Sequence, residues 1–128
     1  MLHWSVAAGL AATSVDRVIV STEDPEIAAA GLAAGAEVPF TRPASLAGDT
    51  VTDLPVFQQC LDWLATTEGY RPDLVVHLRP TSPARRPDLI DRAVNHLCDH
   101  PGATSLRSVS PAPVTPWKMW SIVDGYLD

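Results

Sequence analysis

The densest grouping of chemically capable side chains is one short run, Arg79-Pro80-Thr81-Ser82-Pro83-Ala84-Arg85-Arg86. Guanidinium forks match the geometry of carboxylate and phosphate, and Arg79, Arg85 and Arg86 supply three within eight residues. Thr81 and Ser82 add neutral hydroxyl donors, and Pro80 and Pro83 stiffen the backbone between them. The chemistry on offer is the holding of a small anion. A plain proline-stiffened connection with solvated arginines has the same composition, so the run needs a scaffold before it counts as a site.

Other groupings are weaker. His96 and His100 stand four apart, a spacing that suits a helical metal pair, but Pro101 follows at once and no acidic third ligand is evident. A solvated helix end explains them as well. His77 lies in an apolar run and reads as a packed histidine. Glu23 and Asp24 are adjacent carboxylates, and Asp24-Pro25 already has a helix-capping explanation. Trp4, Trp63, Trp117 and Trp120 read as packing residues. Neither a Ser-His-Asp elbow nor a glycine-rich dinucleotide fingerprint occurs.

The elements that must position these residues alternate. Residues 2–12 are Ala-rich and helical in character. Arg17-Val18-Ile19-Val20-Ser21 is a short β-branched run, the pattern of a strand covered on both faces. Asp24 and Pro25 start a helix that Gly35 ends. Glu37-Val38-Pro39-Phe40 is short and extended, and residues 41–52 form a loop. Asp53 is a candidate N-cap for a helix whose apolar face carries Val56, Phe57, Cys60, Leu61 and Leu64, ending at Gly69. Leu74-Val75-Val76-His77-Leu78 is a second buried-strand pattern. Pro87 opens a further helix through Leu97. Residues 104–109 form another strand, residues 111–116 a Pro-rich turn, and Trp117 to Ile122 a strand feeding the turn Asp124-Gly125.

Strands alternating with helices imply right-handed crossovers and a mostly parallel sheet. Ligands in such sheets bind beyond the carboxyl ends of the strands. Three stretches fall there: Ser21-Thr22-Glu23-Asp24, the Arg79 loop, and the turn after Val109. Sheets of this kind normally open on a strand followed by a phosphate-binding loop, whereas here the first element is helical. One βα unit is therefore expected to be missing.

Bulk properties set the remaining bounds. The 128 residues suffice for one core, and 46% hydrophobic with 19% charged is ordinary globular composition. A net charge of −6 argues against general nucleic-acid binding, which rests on many cationic contacts to phosphate. Cys60 and Cys98 follow no disulfide-framework spacing and read as reduced thiols. The absence of a secretory pattern and of a membrane-length apolar run points to the cytoplasm, with no membrane partner.

Several segments, in order, resemble the acylneuraminate cytidylyltransferase family, the CMP-sialic-acid synthetases and relatives acting on other nonulosonic acids. The stretch from Arg17 to Ala28 (RVIVSTEDPEIA) resembles the family's second strand and helix. The stretch from Gly35 to Thr50 (GAEVPFTRPASLAGDT) is similar to its loop around the nucleotide base, and the Arg79 loop is similar to its sugar-site loop. The resemblance implies an α/β, Rossmann-like nucleotide-sugar transferase domain with a mostly parallel sheet. Residues 1–128 would be a single partial cytidylyltransferase domain lacking the first strand and the C-terminal part.

The implied reaction transfers CMP from CTP to the anomeric hydroxyl of a nonulosonic, sialic-type acid, with loss of pyrophosphate and with Mg²⁺ as cofactor. By resemblance, Arg42 lies beside the cytosine. Asp53 stands where the family more often has a small hydroxyl residue; it could accept from the cytosine amine, or serve only as a helix cap. Arg79 replaces a glutamine of well-known sialic-acid members, which leaves legionaminic- and pseudaminic-type acids open. Thr81 and Ser82 match the sugar-site pattern. The triphosphate-cradling loop would precede Met1, and the Mg²⁺ carboxylates would follow Asp128, so no catalytic residue and no metal ligand is assigned. Most of the family's homodimer contact would also lie beyond this chain. An incomplete, weakly active or inactive form is expected. The alternatives are a non-catalytic nucleotide- or sugar-binding remnant, and another sugar-nucleotide transferase of the same architecture.

Overall fold

The structure is a computed structural model that describes residues 1–86, 88–111 and 120–127. In chain order it has helix α1 (Leu2–Ala11), helix α2 (Pro25–Ala33), a 3₁₀ turn (Ala44–Leu46), helix α3 (Asp53–Trp63), helix α4 (Leu89–Cys98), and strands β1 (Ile122–Val123) and β2 (Tyr126–Leu127). The expected helix start at Pro87, and parts of the 111–116 turn and of the Trp117-to-Ile122 strand, lie outside the described residues.

Local signals account for most boundaries. Asp24 caps α2, its carboxylate accepting from the backbone N–H of Glu26 (2.7 Å) and Ile27 (3.0 Å), with Pro25 in the first turn. Gly35, with φ 94°, takes the left-handed position after α2 that a β-carbon would disfavour. Helix α3 runs into a π-helical turn (Leu64–Glu68), which Gly69 ends at φ 67°. Asp124 and Gly125, with φ 52° and 84°, form the tight turn of the β1–β2 hairpin.

The segment of residues 17–21 is the centre of packing. Val18 and Val20, two apart, point to the same face. A β-carbon at Gly9 of α1 would meet Val18 at 3.0 Å, and one at Gly31 of α2 would meet Val20 at 3.3 Å, so both helices lie on that face. On the opposite face Arg17 pairs with Glu37 and Glu68 and sits over the Tyr70 ring at 4.9 Å. That ties the segment to the end of α3. The few well-buried apolar residues, among them Val6, Ala36, Leu64 and Ile90, sit around this stack.

Among the described residues, the parallel contact of this segment is one bridge, Ile19 with Glu37, and the ladder is the antiparallel hairpin. The expected strands at 74–78 and 104–109 carry no ladder there. Leu74, Val75 and Val76 are 41%, 50% and 39% exposed, although their composition is that of a strand covered on both faces. Apolar composition states what a segment needs to bury; a covering partner lies outside the reach of local sequence.

Asp53 is a correction. Thr52 occupies the N-cap of α3 without a side-chain bond, and Asp53 is the first helical residue, with its carboxylate engaged elsewhere. At the other end of the fold, Asp91 of α4 clasps the turn after α1. It accepts from the N–H and hydroxyl of Thr13 (both 3.1 Å) and of Ser14 (2.8 and 2.6 Å). Those four donors, led by Ser14, hold its carboxyl down at about 2 against an ordinary 3.8. A depressed folded-state pKa stabilises the fold above the ordinary value, and that contribution is lost as pH falls through about 2. The urea midpoint should therefore drop as pH falls from 3.8 towards 2. Asp91→Asn should lower the midpoint at neutral pH and flatten its fall in that window; an unchanged pH profile would rule out the clasp.

Candidate functional site

Arg79 begins a tight turn closed by the Ser82 N–H on the Arg79 carbonyl (3.1 Å). The same carbonyl accepts from Arg85 Nη2 at 2.7 Å, while Arg85 Nη1 donates to Ser5 Oγ at 3.0 Å. Ser5 is 3% exposed on α1. Arg85 thus staples the loop to a buried point of the scaffold with two forked bonds, which only a planar guanidinium can make together. Thr81 and Ser82 are exposed, and their hydroxyls make no bond among the described residues.

The Arg79 guanidinium pairs with the Asp53 carboxylate, 26 residues earlier in the chain. The candidate sugar-side residue and one candidate nucleotide-side residue are therefore in direct contact. Both side chains are more than half exposed, so the pair is screened and easily exchanged.

Arg42 is held separately. Its backbone N–H donates to the Thr22 carbonyl (2.9 Å), and its Nε donates to Glu23 Oε2 at 3.0 Å. The Arg42 guanidinium beside Glu23 lowers the Glu23 pKa. Buried Thr22 accepts from the Asp24 N–H through Oγ1 at 3.1 Å, shaping the turn that carries Glu23. This turn is the Ser21-to-Asp24 stretch that follows the 17–21 segment.

Residues that the sequence pattern did not single out for these roles are Glu23, as the partner of Arg42, and Ser5, as the anchor of Arg85. Neither has a local signal, since each acts on a residue 19 or 80 positions away. His77 packs edge-on against Phe57 (4.9 Å between centroids), and desolvation lowers its pKa, which favours the neutral packed histidine. His96 and His100 lie at 4.4 Å between ring centroids, with His100 Nδ1 2.7 Å from the His96 carbonyl. Cys60 and Cys98 are free thiols.

No protein-family model matches the chain. Among curated proteins, it is 33% identical over 123 residues to a CMP-N,N'-diacetyllegionaminic acid synthase of Legionella pneumophila. It is 29% identical over 119 residues to post-translational flagellin modification protein B of Campylobacter coli. Each match covers 91% of this chain and 49% of the relative. The two matches support a CMP-sialic acid synthetase-like family. The chain spans about half the length of the curated relatives it matches. Among the described residues, no helix is long and apolar enough to cross a membrane.

The staple makes a measurable claim. Arg85→Ala should lower unfolding stability by roughly 1–2 kcal/mol, because it removes two charge-assisted bonds, one of them to a buried hydroxyl. Arg85→Lys should recover less than half of that loss in urea titration. Full recovery by lysine would show that charge, and not the fork, holds the loop.

Proposed function

We propose that this chain forms part of a nucleotidyltransferase that transfers CMP from CTP to a nonulosonic acid, and that its residues serve the base and sugar sides of the site. The observation that carries this reading is the Arg79–Asp53 contact, which joins the two candidate subsites across the fold. The similarity to a CMP-N,N'-diacetyllegionaminic acid synthase supports it. In this reading the sugar acid's carboxylate replaces Asp53 on the Arg79 guanidinium, making a bidentate pair. The released Asp53 carboxylate then accepts from the cytosine amine. Arg42 lies along the base, steadied by Glu23, and Thr81 and Ser82 offer hydroxyls to the sugar. The proposal includes a cytoplasmic location.

The family resemblance also implies Mg²⁺. Among the described residues, no group of three His, Cys, Asp or Glu side chains could hold a metal ion. Asp53 is already paired with a cation. The described residues therefore do not fit the ion's site. The triphosphate and metal machinery would come from other residues, and the 128-residue chain is expected to bind without turning over. The exposure of residues 74–76 favours the same view, because a segment of that composition is incompletely covered here.

Calorimetric titration of the chain with CTP, and separately with a nonulosonic acid, tests the assignment. Arg42→Ala should weaken CTP by about tenfold or more and leave the sugar acid unchanged; Arg79→Ala should do the reverse. Binding of neither ligand by the wild-type chain, or equal effects of both substitutions on both ligands, would overturn the subsites. Pyrophosphate release by this chain alone would overturn its incompleteness.

A further inference from the structure

Two imidazoles stand one turn apart at the carboxyl end of α4, His96 in its last turn and His100 just beyond its cap residue, Asp99. Their ring centroids lie 4.4 Å apart, and both residues are exposed. Neither takes part in the Arg79–Asp53 or Arg42–Glu23 pairs. We propose that the two rings chelate one late first-row divalent ion of the Ni²⁺ and Cu²⁺ class, with water in its other positions.

Ring spacing gives the first reason. A ligating imidazole nitrogen stands about 2.0 Å from the ion, and its ring centroid lies about 1.2 Å further out. Two rings at a right angle about the ion then have centroids about 4.5 Å apart; a tetrahedral angle would spread them to about 5.2 Å. The observed 4.4 Å matches the right angle. Right-angled nitrogen ligands suit the tetragonal preference of Ni²⁺ and Cu²⁺ over tetrahedral Zn²⁺. The 42° between the ring planes is neither the stacked nor the edge-to-face arrangement that packing alone prefers.

The place of the ring hydrogen gives the second. His100 Nδ1 lies 2.7 Å from the His96 carbonyl. A carbonyl only accepts, so Nδ1 carries the hydrogen and Nε2 keeps its lone pair. Metal-binding histidines are held in this way, ligating through one nitrogen and donating the other N–H to a backbone carbonyl. The carbonyl used belongs to the last turn of α4, whose orphan acceptors need partners in any case. The His100 ring is therefore oriented before any ion arrives.

Charge and ligand type narrow the ion. The carboxyl end of a helix carries partial negative charge, and Asp99 adds to it, so a cation is favoured there. Arg92, four residues before His96, is itself paired with Asp88. Neutral imidazole nitrogens suit a late transition ion, whereas Mg²⁺ takes oxygen ligands. Among the described residues no third side chain completes a cluster, so the ion stays open to exchange.

The test titrates the 128-residue chain with Ni²⁺ alone by calorimetry, with the histidine ring protons followed by NMR. Ni²⁺ leaves the exposed Cys98 thiol unoxidised. Every sample carries His3→Gln, since a free amino terminus and His3 could chelate the ion together. One ion should bind per chain and broaden the His96 and His100 ring signals together, and excess Mg²⁺ should not displace it. His96→Gln should weaken binding roughly tenfold or more, because the chelate is lost. It spares the backbone carbonyl that His100 uses, so the helix end keeps that bond. His100→Gln should weaken binding to the same extent. A loss of only about twofold on removing either ring would mark two independent surface histidines and overturn the chelate. Unchanged affinity on removing both rings, or displacement by Mg²⁺, would overturn the site.

Discussion

The approach of α1 to two separate segments sets the geometry of everything else. At Gly9 a β-carbon would stand 3.0 Å from Val18 and 3.4 Å from Leu78, so the absence of a side chain there lets the helix touch both. Ser5, four residues earlier, lies on the same face of the helix. That face therefore fixes the spacing of the 17–21 and 74–78 segments and also provides the hydroxyl on which Arg85 staples the Arg79 loop. A displacement of α1 would move the 17–21 segment, the 74–78 segment and the anion-holding loop together.

Electrostatics complete the arrangement in a chain of net charge −6. The arginines at the candidate site do not wait free. Arg42 is paired with Glu23 and Arg79 with Asp53. Exposed pairs of this kind are worth little on their own, so an incoming carboxylate displaces a partner at small cost. The internal carboxylates keep the guanidinium groups oriented until an anion of better geometry arrives. The proposed ligand exchange at Arg79 and the stapling by Arg85 are complementary: one group must be free to change partner while its backbone is held still.

What could be read from the sequence was local. Asp24-Pro25 before α2, Gly35 and Gly69 after their helices, and Asp124-Gly125 in the hairpin each act within a few residues, and each has the expected conformation. The resemblance was legible because ordered segments carry it. Asp53 shows where local reasoning stops. Its type suits a helix cap, but Arg79, distant in sequence, takes the carboxylate and Thr52 takes the cap position. The 74–78 run shows the same boundary from the apolar side. Its composition announces a need for cover on both faces, and only the three-dimensional arrangement shows one side open. Glu23 and Ser5 could not be chosen from sequence, since nothing beside them announces an arginine to hold.

The account turns on Arg79 changing partners. A crystal structure of the chain with a bound CMP-nonulosonic acid measures this directly. The account predicts the sugar carboxylate on the Arg79 guanidinium, Asp53 turned to the cytosine amino group, and Arg42 along the base. An intact Arg79–Asp53 pair, with the ligand bound away from both residues, would contradict it.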